Sequence, residues 1–196
     1  MAGGDPAERT AIKEWAVLCD ALAQGEIVAI VRKGGIREQR AGFAVRHDRF
    51  LLYPTYFHEK HAELQPRFAA RVDASMARRP PEGTIRISHV ADVAAVWHVT
   101  ELERLRAIEA VHGLAWDAVT SRFNYRDRPE VRVVAVRIAE LPDVHEIAET
   151  RRYRGCVSWV ELDAPVVVAG ARPALSAAEL EARIAAISAA LGSPER

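Results

Sequence analysis

The chain has little cysteine. Cys19 and Cys156 are its two cysteines, far apart and without a Cys-x-x-Cys spacing, so neither a disulfide framework nor a cysteine zinc cluster is implied, and a reducing cytoplasm fits. Lysine is nearly as scarce: Lys13, Lys33 and Lys60 are all of it, and the remaining basic residues are arginines in an alanine-rich chain. Coding in a GC-rich genome explains that bias by itself, but guanidinium groups also offer planar, bidentate contacts to phosphate and carboxylate. Neither charge sign is in excess, with 27 Lys+Arg against 27 Asp+Glu. No global field therefore draws the protein to nucleic acid or membrane, and any basic surface must be local. No apolar run approaches the ~20 residues a membrane-spanning helix needs, and Met1 to Pro6 lacks the basic-then-apolar pattern of a secretory signal. These absences predict a soluble, cytoplasmic protein.

What remains is an ordinary globular composition, with 49% hydrophobic and 28% charged residues over 196 positions, the size of one domain. Internal repeats, low-complexity tracts and long linkers are missing, so one unit over 1–196 is expected, with a lobe junction near 74–83 as the place it would divide. Ile12, Trp15, Ala16, Cys19, Leu22 and Ala23 recur at helical spacing and predict a helix from Glu8 to Gln24, ended by Gly25. Glu26 to Val31 reads as a buried strand, Phe43 to Tyr53 as one or two strands ending at Pro54, and Glu59 to Asp73 as a weak helix divided by Pro66. Thr84 to Val99 reads as a long strand, Glu101 to His112 and Trp116 to Tyr125 as helices, and Val131 to Ile138 as a strand. Short strands at Ser158–Leu162 and Val166–Ala169 follow, then a helix capped by Ser176 with Glu179 at the capping-box position. The expected class is α+β: a mixed or antiparallel sheet flanked by helices.

Several clusters can carry chemistry. Arg32-Lys33-Gly34-Gly35, with Glu38 beyond, follows a buried strand directly, where free amides and cations can hold an anion; a plain turn with solvated charges explains the same residues. Tyr53, Tyr56, Phe57 and His58 gather aromatics and an imidazole after a strand, suited to base stacking or general-base work, or simply to core filling. Arg122, Tyr125, Arg126 and Arg128 interleave cations with aromatics, a mixture that grips a sugar-phosphate chain and equally suits a helix C-terminus. Arg151 to Arg154 repeats the theme. His58 and His61 lack the two-turn spacing of a zinc helix, the carboxylates are dispersed, and Cys156 has no nucleophile elbow around it, so no metal and no cofactor is expected.

Lys13-Glu14-Trp15-Ala16-Val17, Arg32-Lys33-Gly34-Gly35-Ile36 with Glu38, Phe50 to Thr55 with His58, Arg122-Phe123 with Tyr125, and Gly155-Cys156-Val157-Ser158-Trp159-Val160-Glu161-Leu162 together resemble the bacterial domain-of-unknown-function family DUF1802 over nearly the whole chain. The resemblance implies no assigned reaction. Relatives of this kind are associated with restriction-endonuclease-like domains, which implies a setting near DNA or in defence, with nucleic acid or a nuclease as partner. The order of elements from Thr84 to Leu141 also resembles the barrels of pseudouridine synthases and archaeosine transglycosylases, implying a barrel-like second half.

Three functions stay open on these residues. The first is a nucleic-acid-associated binding domain, with Arg32, Lys33, Arg122, Arg126 and Arg128 on phosphates and Tyr53, His58 and Tyr125 shaping a pocket. The second is a small-molecule or phosphoester enzyme in which Arg32 and Lys33 hold the anion, His58 is the base, and Glu14 or Glu38 orients it. The third is an accessory subunit that works through a protein interface. Oligomeric state is not legible.

Overall fold

The stretch Glu8 to Gln24, where helical spacing predicts one helix, is a strand up to Trp15 and a helix from Ala16. In this computed structural model, which describes residues 7–33, 47–56, 61–155 and 157–195, β1 (Ala7–Trp15) runs without a loop into α1 (Ala16–Ala23). β1 lies between β3 (Arg49–Thr55), which it pairs in parallel, and β6 (Trp159–Val167), which it pairs antiparallel. Its backbone groups thus find partners on both sides. Successive side chains then fall on opposite faces, Ala11 in one apolar cluster and Ile12 in the other, so the sheet overrides a weak local preference for helix.

The remaining strands are β2 (Ala29–Arg32), β4 (Thr84–Val99), β5 (Val131–Ala148) and the short β7 (Arg172–Pro173). They make one mixed seven-stranded sheet in the order β2-β5-β4-β3-β1-β6, with β7 on β5. The β4–β5 pair is its spine, and β5 continues through Pro142 well past Ile138. Register shifts between Ile87 and His89 and between Val93 and Ala95 bend it, as bulges do. The two short strands expected near the end are one, β6. Of the helices, α2 (Pro66–Ala69) begins at Pro66, which sits where its missing N–H costs nothing. It is followed by α3 (Val72–Ala77), α4 (Trp116–Asn124) and α5 (Ala177–Leu191). The capping box at Ser176 and Glu179 forms as expected, with Glu179 N–H donating to Ser176 Oγ at 3.3 Å and Ser176 N–H to Glu179 Oε2 at 2.9 Å. The segment Leu102–Val111 is 3₁₀ rather than α.

The chain is a single α+β domain. Its larger core joins one face of the sheet to α1, α2 and α5 through residues such as Leu22, Phe68, Trp97, Leu180 and Ile187. A smaller cluster with Leu51, Tyr53, Ile87, Tyr153 and Leu162 fills the other face. The barrel-like half does not close: β2 and β6 end the described sheet unpaired with each other. The sheet curls far enough for a side chain to bridge what backbone pairing leaves open. Arg32 at the end of β2 donates from Nη2 to the carbonyl of Lys13 and to Glu14 Oε2 at 2.9 Å, on a strand four places away in the order.

Candidate functional site

That bridge brings the ends of β1, β2 and β3 together, and the polar residues of the domain concentrate around it. Glu14 is 6% exposed. One carboxylate oxygen takes the Arg32 guanidinium, the other accepts the backbone N–H of Trp15 at 2.9 Å, and its carbonyl accepts the Thr55 hydroxyl at 3.0 Å. The Cys19 thiol lies 3.8 Å from the same carbonyl. Arg32 Nε, also buried, has no acceptor among the described residues.

Arg122 reaches this place from α4. Its Nη1 donates to the Val31 carbonyl at 3.1 Å, and its guanidinium carbon stands 5.6 Å from the centre of the Trp15 ring. Burial pulls the guanidinium below its usual pKa; the Glu14 carboxylate opposes that shift and the Arg32 charge adds to it. His112, 1% exposed, closes the group. Its Nδ1 accepts the N–H of Leu114 at 3.2 Å, so the ring proton of the neutral form sits on Nε2, which has no acceptor among the described residues. Burial first, then the charges of Arg122 and Arg67, lower its pKa from 6.5 to about 4, so the ring is neutral at pH 7. Glu14, Arg122 and His112 line one small cavity with Leu18, Val31 and Gly113, with room for about one water. Gly113 is needed here: a Cβ would stand 2.2 Å from Leu18 Cδ2 and 3.3 Å from Phe68 Cδ2.

Lys33 points the other way. Its ammonium donates to the carbonyls of Phe123 at 2.9 Å and Glu130 at 2.8 Å, and to that of Arg128. These three acceptors bracket the exposed segment Asn124 to Pro129, and Glu130 is further held by His98 Nε2 at 2.7 Å. Inside the clamp Arg126 and Asp127 take left-handed backbone angles, φ 61° and 54°. Tyr125 is 44% exposed, and the Arg126 guanidinium carbon lies 5.2 Å from its ring centre.

The residues picked from the sequence therefore divide. Glu14, Arg32 and Arg122 come together, Lys33 and the Tyr125–Arg128 segment form a neighbouring unit, and Tyr53 belongs to neither. Tyr53 is buried on the opposite face, donating its hydroxyl to Glu149 Oε1 at 3.2 Å, with its pKa raised by burial and by the Glu149 charge. Glu38 and His58 lie outside the described residues, as do Gly34, Gly35 and Cys156. The arginines of 151–154 sit on Lys13's side of β1, where the Lys13 ammonium bonds the carbonyls of Tyr153 and Gly155. The alternation of β1 thus puts them on the face away from Glu14 and Arg32. His112 is the functional candidate that sequence reading passes over, standing as an ordinary residue before a helix-ending glycine; the cavity it lines is completed by Glu14 and Leu18, distant in sequence. Among the described residues no group of three His, Cys, Asp or Glu side chains is placed to hold a metal, and no helix is long and apolar enough to cross a membrane.

A solved structure with a related arrangement is that of a ZmASCH mutant protein from Zymomonas mobilis. It is 11% identical, with a TM-score of 0.47, and the alignment covers 80% of this chain and 89% of that one. Comparison with curated proteins gives no match. The model of the family described as "Domain of unknown function (DUF1802)" matches residues 11–186, in agreement with the blocks around Trp15, Tyr53, Arg122 and Trp159, and this chain belongs to that family.

Proposed function

We propose that the protein binds nucleic acid through the Tyr125–Arg128 segment, with single strands preferred. The observation that carries this reading is an exposed tyrosine with an arginine over its ring, set on a segment whose backbone is held in a strained form. Left-handed geometry at a residue with a Cβ costs roughly 1–2 kcal/mol, and such strain persists where surrounding structure over-determines it, often at binding sites. The Lys33 ammonium, spent on the carbonyls of Phe123, Arg128 and Glu130, supplies that constraint. Lys33 is then a positioning residue rather than a phosphate contact.

A tyrosine face offers stacking to any unstacked base, while Arg126 beside it and Arg128 two residues further along the segment would meet the backbone phosphates. A base inside a duplex cannot stack on it without being unstacked first, hence the preference for single strands. With two such cations on a neutral chain, binding is weak and its salt dependence shallow, the logarithmic slope being about −1.4 for single strands. Fluorescence-anisotropy titration against short DNA and RNA, single- and double-stranded, at two salt concentrations tests this. Tyr125→Ala and Arg126→Ala should each weaken binding by roughly 1–3 kcal/mol. No binding at low salt, or binding by both variants as tight as that of the wild type, rejects the reading. A role in restriction or defence would follow from such binding together with a nuclease partner, which co-purification from the native host would identify.

A further inference from the structure

We infer that the cavity beneath α4 is a second, separate binding site that takes one oxygen of a singly charged oxyanion, a phosphodiester or a carboxylate, between the Arg122 guanidinium and the His112 Nε2–H. The charges around the cavity set the sign. The Glu14 carboxylate, the nearest counter-charge to Arg122, is already engaged by Arg32 and by the Trp15 N–H, so it serves two guanidiniums, and Glu63 adds only a smaller attraction. A guanidinium does not give up its proton in a protein, so burial cannot neutralise it, and a neutral carbonyl at Val31 is the one hydrogen-bond acceptor it has among the described residues. The cost of a buried charge that must share its counter-ion is lowered further by an added anion.

The donors set the chemistry. His112 is almost wholly buried, lines the same cavity, and presents an Nε2–H with no acceptor among the described residues while its Nδ1 is fixed by Leu114. As a neutral ring it adds a donor and no charge. The ligand must therefore offer an acceptor and carry one negative charge. The free space, about that of a water molecule, sets the size: a single oxygen enters and the rest of the ligand lies in the mouth. A water would satisfy the donors without meeting the charge of Arg122.

The experiment is a side-chain NMR titration of the whole protein labelled with 15N, following the Arg122 Nε–H and His112 Nε2–H signals. One arm uses dimethyl phosphate, the other sodium acetate, with sodium chloride at matched ionic strength as reference. Both signals should shift saturably in at least one arm, and Arg122→Lys, which keeps the charge and loses the planar fork, should weaken binding by about tenfold or more. Dimethyl phosphate alone would assign a phosphodiester, acetate alone a carboxylate, and both a site that reads charge and oxygen only. Neither ligand moving the signals beyond the chloride reference overturns the inference, as does unchanged affinity in Arg122→Lys. The wild-type signals decide the matter even where the variant misfolds. Arg126→Ala, which removes the proposed nucleic-acid contact, should leave this titration unchanged, so the two sites fail or stand independently.

Discussion

Replacing Lys33 with methionine keeps the length of the side chain and removes the ammonium that joins β2 to both ends of the Asn124–Pro129 segment. Three carbonyls, of Phe123, Arg128 and Glu130, lose their shared donor. A hydrogen bond to a charged group contributes about 1.5–3 kcal/mol, but this site is partly open to water, which replaces some of what is lost. The net cost should be about 2 kcal/mol, roughly a 4–8 °C fall in melting temperature for a domain of this size. The effect should be concentrated in the segment, because its left-handed Arg126 and Asp127 relax once the clamp is gone. Trypsin reads this directly: cleavage after Arg126, since Arg128 is followed by Pro129 and resists the protease, should speed up by more than tenfold in Lys33→Met. An unchanged denaturation midpoint together with an unchanged cleavage rate would refute the idea that Lys33 holds the segment in shape.

The ion pair between β1 and β2 gives a second test. Glu14→Gln strands Arg32 at 15% side-chain exposure and should cost about 3 kcal/mol in chemical denaturation, whereas Glu14→Gln with Arg32→Met should recover most of it. His112 makes stability depend on acid. Its folded pKa of about 4 lies below the ordinary 6.5, so the unfolded chain takes up a proton first. Stability should fall as pH drops through that window, by about 3 kcal/mol in total at about 1.4 kcal/mol per unit, and His112→Asn should flatten that part of the profile. Gly113→Ala would press a methyl group against Leu18 and Phe68 and should lower stability by about 1–3 kcal/mol, measured by thermal unfolding.

The sequence made the long strand at Thr84–Val99, the helix at Trp116 and the Ser176 capping box legible because each is specified locally, by alternation, by a helical stripe or by side chains three residues apart. The first strand was not, since Ala7 to Trp15 is extended only because β3 and β6 lie on either side. The same limit governs the site. Arg32 and Arg122 could be singled out as cations, but Glu14 as the partner of Arg32 depends on how far the sheet curls. Lys33 reads in sequence as a free cation before a glycine turn. Its three acceptors come from residues ninety or more positions away, and nothing local announces them. Tyr53 carried no mark of which sheet face it would occupy, because both faces of β3 are buried and a one-residue change of register would have moved it from the smaller core to the larger.

The most direct measurement on the central claim is a backbone amide chemical-shift map of the 15N-labelled protein with a short single-stranded oligonucleotide. The account predicts that the largest shifts fall on residues 124–130 and vanish in Tyr125→Ala. Shifts centred instead on the opposite face of the sheet, around Arg151 to Arg154, or no shifts at all, would contradict it.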